Sequence, residues 1–88
     1  MTSFALGQLY ITKNALSTLK AIDMTTALSR FSRGDWGDVD KEDWEANEQA
    51  LKHGGRLMGV YHDRNGTKFW IITEADRSTT TILLPEDY

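Results

Sequence analysis

Between Gly34 and Glu48 the chain carries seven carboxylates, Asp35, Asp38, Asp40, Glu42, Asp43, Glu45 and Glu48, against one base, Lys41. A run of this kind can ligate a hard cation or face a basic partner. The cation reading fails on spacing. Asp38, Asp40 and Glu42 imitate the first three ligand positions of a calcium loop. Asp43, however, stands where glycine must make the turn, and Gln49 where a closing Glu is needed. No metal is therefore expected. The second reading makes Asp35, Asp38, Glu42 and Glu45 a partner-binding surface, with Trp36, between Gly34 and Gly37, as its exposed aromatic anchor. The same residues also read as a capped, solvated helix start, with Trp36 and Trp44 turned into the core.

Other groups offer less. His62 lies beside a hairpin, with Arg64, Lys68 and Glu74 within a sheet's reach. Those groups could serve a small messenger-cleaving ribonuclease as acid, base and phosphate clamp. Such an enzyme needs a basic surface for RNA, and this chain is acidic. Two histidines without cysteine are too few for a metal site. Ser17, Ser29 and Ser32 have no histidine at telling spacing, so a hydrolase triad is not expected. Gly54-Gly55 reads as a helix stop rather than a phosphate loop. No cofactor and no catalytic residue are expected.

The whole chain bounds these readings. Its 88 residues allow one small domain, residues 1–88. The 13 acids and 10 bases give a net charge of −3. Resolved along the chain, seven acids and one base put −6 on Gly34 to Glu48, and nine bases and six acids leave +3 on the rest. That balance argues against direct nucleic-acid binding. With no cysteine there is no disulfide framework. No apolar run approaches the ~20 residues of a membrane span, and the mean hydropathy is −0.47. A cytoplasmic protein without membrane contact is expected.

The fold class is α+β, with three short helices ahead of a three-stranded antiparallel meander that an N-terminal edge strand could join. Gly7 to Ile11 alternates as an edge strand should. Thr12 caps a helix with Ala15, Leu16, Leu19 and Ile22 inward, and Asp23 caps a second with Met24, Ala27, Leu28 and Phe31 inward. Asp40 caps a third, Val39 and Trp44 stapling its start and Trp44, Asn47, Ala50 and Leu51 forming its inward stripe. Three strands follow, over Arg56–His62, Lys68–Glu74 and Thr79–Leu84, the first two joined by a type I turn with a glycine bulge at Gly66 or by a two-residue Asn65-Gly66 turn. With the bulge, Leu57, Tyr61, Phe69 and Ile71 share one face, and Met58, Val60, Trp70 and Ile72 the other. The second face needs a cover: the first strand, the acidic loop or a second copy of the chain in a homodimer.

Three blocks resemble a family of small bacterial proteins described as plasmid-related. They are Gly34-Asp35-Trp36-Gly37-Asp38, the stretch Asn47 to Leu57 containing Ala50-Leu51-Lys52-His53-Gly54-Gly55-Arg56, and Trp70-Ile71-Ile72-Thr73-Glu74-Ala75-Asp76-Arg77-Ser78 onward to Pro85-Glu86-Asp87-Tyr88. The resemblance implies a gene carried on mobile elements and brings no catalytic residues. The expected function is a non-catalytic protein-interaction module whose acidic segment meets a basic, nucleic-acid-binding surface, as an inhibitor of a host defence complex would. An RNA-binding or RNA-cleaving protein using the His62 hairpin and a homodimeric accessory subunit are the alternatives.

Overall fold

The computed structural model describes residues 4–88. β1 (Gln8–Ile11) leads into α1 (Lys13–Thr18) and α2 (Ala21–Ser32), and α3 (Lys41–His53) follows the acidic segment. β2 (Leu57–His62), β3 (Lys68–Thr73) and β4 (Thr79–Leu83) come next, ahead of a 3-10 turn over Pro85–Asp87. The fold is α+β. β2, β3 and β4 make the antiparallel meander, and β1 joins beside β4 to give the order β1-β4-β3-β2. β1 runs parallel to β4, so the sheet is mixed rather than purely antiparallel. A parallel pair needs a long crossover, and here the three helices and the meander together supply it.

Local chemistry explains the boundaries. Asp40 accepts from the Asp43 N–H at 2.8 Å and starts α3, whose chain leaves through Gly54 in the left-handed region. Thr12 Oγ1 accepts from the Ala15 N–H at 3.2 Å and starts α1. α2 departs from expectation: it starts after Lys20, and Asp23 sits in its first turn. Instead of capping the helix, Asp23 accepts Nε and Nη2 of Arg64 at 3.0 and 3.1 Å, tying the helix to the hairpin. In that hairpin Asp63 accepts from the Asn65 and Thr67 N–H groups, and Gly66 takes φ 82°, which makes the type I turn with its glycine bulge.

The register puts Leu57, Tyr61, Phe69 and Ile71 on one face as expected. The core forms there, with Ile82, Ala15, Leu19, Met24, Ala27, Phe31 and Trp36. Leu16 on α1 and Ile22 on α2, expected inward on one helix, are 62% and 60% exposed; α1 ends at Thr18, so Ile22 falls in the first turn of α2 instead of continuing the stripe of Ala15 and Leu19. On the other face Val60 and Ile72 are buried within one chain, and Met58 and Trp70 are half-buried. Tyr88 packs edge-on against Trp70, with ring centroids 5.6 Å apart. The Arg56 guanidinium lies over the Tyr88 ring and donates to its Oη at 2.6 Å. Asp87 holds the turn in place by accepting from Thr12 Oγ1 and Asn14 Nδ2, both at 2.6 Å. The C-terminal turn, rather than the first strand or the acidic loop, thus lies against Trp70. Among the described residues no helix is long and apolar enough to cross a membrane.

Candidate functional site

The acidic segment begins where α2 ends. Arg30, in the last turn of that helix, donates Nε to Asp35 Oδ2 at 2.8 Å and Nη2 to Oδ1 at 3.3 Å. Asp35 Oδ1 also accepts from the Gly37 N–H at 3.1 Å. The hydrogen-bonded guanidinium holds the Asp35 carboxyl below its usual range, partial burial opposes that shift, and the Gly37 amide adds to it. Arg30 also lies over the Tyr61 ring, 5.1 Å from its centroid. Tyr61 Oη donates to the Asp35 carbonyl at 2.7 Å. Burial, helped by the Asp35 charge, pushes the Tyr61 phenol far above its usual range.

Trp36 is not an exposed anchor. It is fully buried, against Phe31 with ring centroids 5.5 Å apart and Phe4 at 6.0 Å. Its Nε1 donates to Glu48 Oε2 at 2.8 Å, so the indole enters the core without leaving a polar atom unpaired. Packing this large apolar ring outweighs any gain from displaying it.

The backbone on either side of Gly37 then closes the outer edge of β2. The Val60 N–H donates to the Trp36 carbonyl at 3.0 Å, and the Asp38 N–H donates to the Val60 carbonyl at 2.7 Å. Gly37 is required between them: its φ is 79°, and a Cβ would lie 2.0 Å from the Val60 oxygen. One step along, Asn47 of α3 completes the closure with its side chain alone. Its Nδ2 donates to the Met58 carbonyl at 2.8 Å, and its Oδ1 accepts from the Met58 N–H at 3.1 Å.

Three of the expected partner-binding residues remain at the surface. Asp38, Glu42 and Glu45 are exposed, as is Asp43. Glu42 and Glu45 are three residues apart and so adjoin on the outer side of α3. Asp38 Oδ2 stands 3.9 Å from His62 Nδ1. Asp35, with Trp36, is engaged inside the fold instead. Among the described residues no three His, Asp or Glu side chains gather as a metal site.

The groups expected around His62 are dispersed. Lys68 lies opposite it in register. Arg64 is held by Asp23. Glu74 follows Thr73, which pairs with Leu57 at the far end of the hairpin, and it sits 3.6 Å from Arg56 Nε. Glu74 lies six positions beyond Lys68, roughly 20 Å along an extended chain.

Two features lay wholly or partly outside the sequence reading. Arg77, at φ 63°, donates Nη2 to the Ala50 carbonyl at 3.1 Å and Nη1 to the Gly55 carbonyl at 2.5 Å, so it caps the end of α3. The second is the exposure of β1: its place at an edge was expected, but that all four of its residues are exposed was not. Nothing in a four-residue alternation distinguishes an open edge from a covered one. No protein-family model, curated protein or solved structure matches the chain.

Proposed function

We propose that this protein is a non-catalytic interaction module whose acidic helix face docks on a basic protein surface. The division of its acids carries the reading. Asp35, Asp40 and Glu48 accept hydrogen bonds within the fold, whereas Glu42 and Glu45 have no ion-pair partner among the described residues, and Asp38 only His62 at 3.9 Å. Carboxylates left free together on one rigid helix sustain a negative field that reaches about 8 Å at physiological salt. A surface built to hold nucleic acid answers that field with lysine and arginine. A host defence complex carries such a surface, and the resemblance to plasmid-related proteins fits a chain directed against one.

The test is affinity capture from a bacterial host at low and high salt, using the wild-type chain and an Asp38→Lys, Glu42→Lys, Glu45→Lys variant. Asp35 stays unchanged because it holds the loop. The expected result is a partner held by the wild type, weakened by salt and lost on reversal. A partner retained undiminished by the reversed variant overturns the reading.

A further inference from the structure

We infer that β1 forms a two-fold interface between two copies of this chain, paired antiparallel and centred on Tyr10. The hydrogen-bond parity of the strand comes first. The Gln8 N–H donates to the Ser78 carbonyl at 2.9 Å and the Thr12 N–H to the Ile82 carbonyl at 3.1 Å. Even-numbered residues therefore turn their backbone groups toward β4, and Leu9 and Ile11 turn theirs outward. Among the described residues, no group accepts from or donates to those outward amides and carbonyls.

Edges left open in natural sheets are guarded by shortness, a lysine, a proline or a bulge. β1 is short, at four residues, but has no lysine, proline or bulge: its sequence is Gln-Leu-Tyr-Ile. Leu9, Tyr10 and Ile11 are 42%, 53% and 37% exposed. Between β1 and α2 lies an apolar hollow of about 110 Å³, lined in part by Leu9, Ile11, Met24 and Leu28.

The strand is complementary to itself. With the two-fold axis at Tyr10, Leu9 pairs with Ile11 of the second copy and Ile11 with its Leu9, giving four main-chain hydrogen bonds. Gln8 faces Thr12, so no like charges meet. The two tyrosines form the close, non-hydrogen-bonded pair at the centre, an arrangement that suits aromatic rings. The axis stands perpendicular to the sheet, so both helical layers stay on one side and β1 continues into an eight-stranded sheet. A second copy is selected over an unrelated extended peptide because it carries the same outward parity, so the Leu9 and Ile11 amides and carbonyls of each strand meet their own counterparts across the axis.

The experiment is sedimentation equilibrium with cysteine crosslinking, which the cysteine-free chain makes clean. The wild type is expected at twice its 10.0 kDa mass. Tyr10→Lys, which sets like charges face to face, is expected at the single mass with an unchanged circular dichroism spectrum. Tyr10→Cys is expected to oxidise to a covalent dimer at least about tenfold faster than Gln8→Cys, since directly opposed Cβ atoms lie about 5 Å apart. The Gln8 pair is offset by four residues, about 14 Å. A wild type of single mass overturns the inference. So does a dimer that survives Tyr10→Lys, or equal crosslinking at the two positions. None of these outcomes touches the acidic face, which the capture experiment tests separately.

Discussion

Along β2 the outward amides and carbonyls of Met58 and Val60 are met by Asn47, Trp36 and Asp38. Along β1 those of Leu9 and Ile11 meet no group among the described residues. The closed edge draws on the most unusual stretch of the sequence. A buried indole anchors the loop, an arginine–carboxylate pair shapes it, and a glycine lets it approach the strand. Much of what looks like a binding motif around Trp36 is thus the means of finishing a sheet. The open edge is made of four ordinary residues and, apart from its shortness, carries no lysine, proline or bulge against pairing. Around Trp36 the unusual composition serves the architecture, while the surfaces left free are the outer acids of the same segment and the plain edge of β1.

The comparison breaks most severely at Trp36. Trp36→Ala is expected to lose about 3–5 kcal/mol, a large share of the stability of a domain this size, measured by urea unfolding. Asn47→Ala comes next. It strips both hydrogen bonds from Met58 and should lower stability by about 1–3 kcal/mol. Amide exchange at Met58 should rise with it, while exchange in β4 is expected to change less. Asp35 sharpens the picture through pH. Its carboxyl sits below the ordinary 3.8 in the fold, so its contribution is complete above about pH 4 and fades as pH falls through the lower folded value. The unfolding midpoint should drop on acidification below pH 4, and drop less in Asp35→Asn. Some acid sensitivity should remain, because hydrogen bonds also lower Asp23, Asp76 and Asp87. The smallest effect is at the open edge. Tyr10→Lys should change the unfolding free energy of the monomer by less than about 0.5 kcal/mol.

What could be read in advance was what depends on near neighbours. Asp40, Val39 and Trp44 mark the start of α3, and Asp63 with Gly66 sets the hairpin register, because each acts within five residues of itself. The alternation that divides the faces of β2 and β3 follows from that register. Asp23 shows the limit. Its cap-like spacing is real, but Arg64, 41 positions on, claims the carboxylate. Trp36 was legible as either buried or exposed, and the choice depended on Phe31, Phe4 and Glu48 converging from three segments. The parallel seat of β1 was not legible at all, since nothing local to Gln8–Ile11 names Thr79–Leu83 as its neighbour. Of the candidate site, Asp38, Glu42 and Glu45 stayed where charge alone would leave them, and Asp35 did not.

The seam between β1 and β4 also has a consequence in time. The Thr80 hydroxyl donates to the Leu6 carbonyl across 74 positions, and Thr12 reaches Asp87 across 75. At roughly 5–20 residues per second, a ribosome needs several seconds to make the chain between such partners. During that interval the β1 segment has no strand to pair with, and the loop entropy of the pairing must be lost before any contact repays it. Docking of the first strand is therefore expected to be a late step in folding, completed on the far side of the chain from where synthesis began.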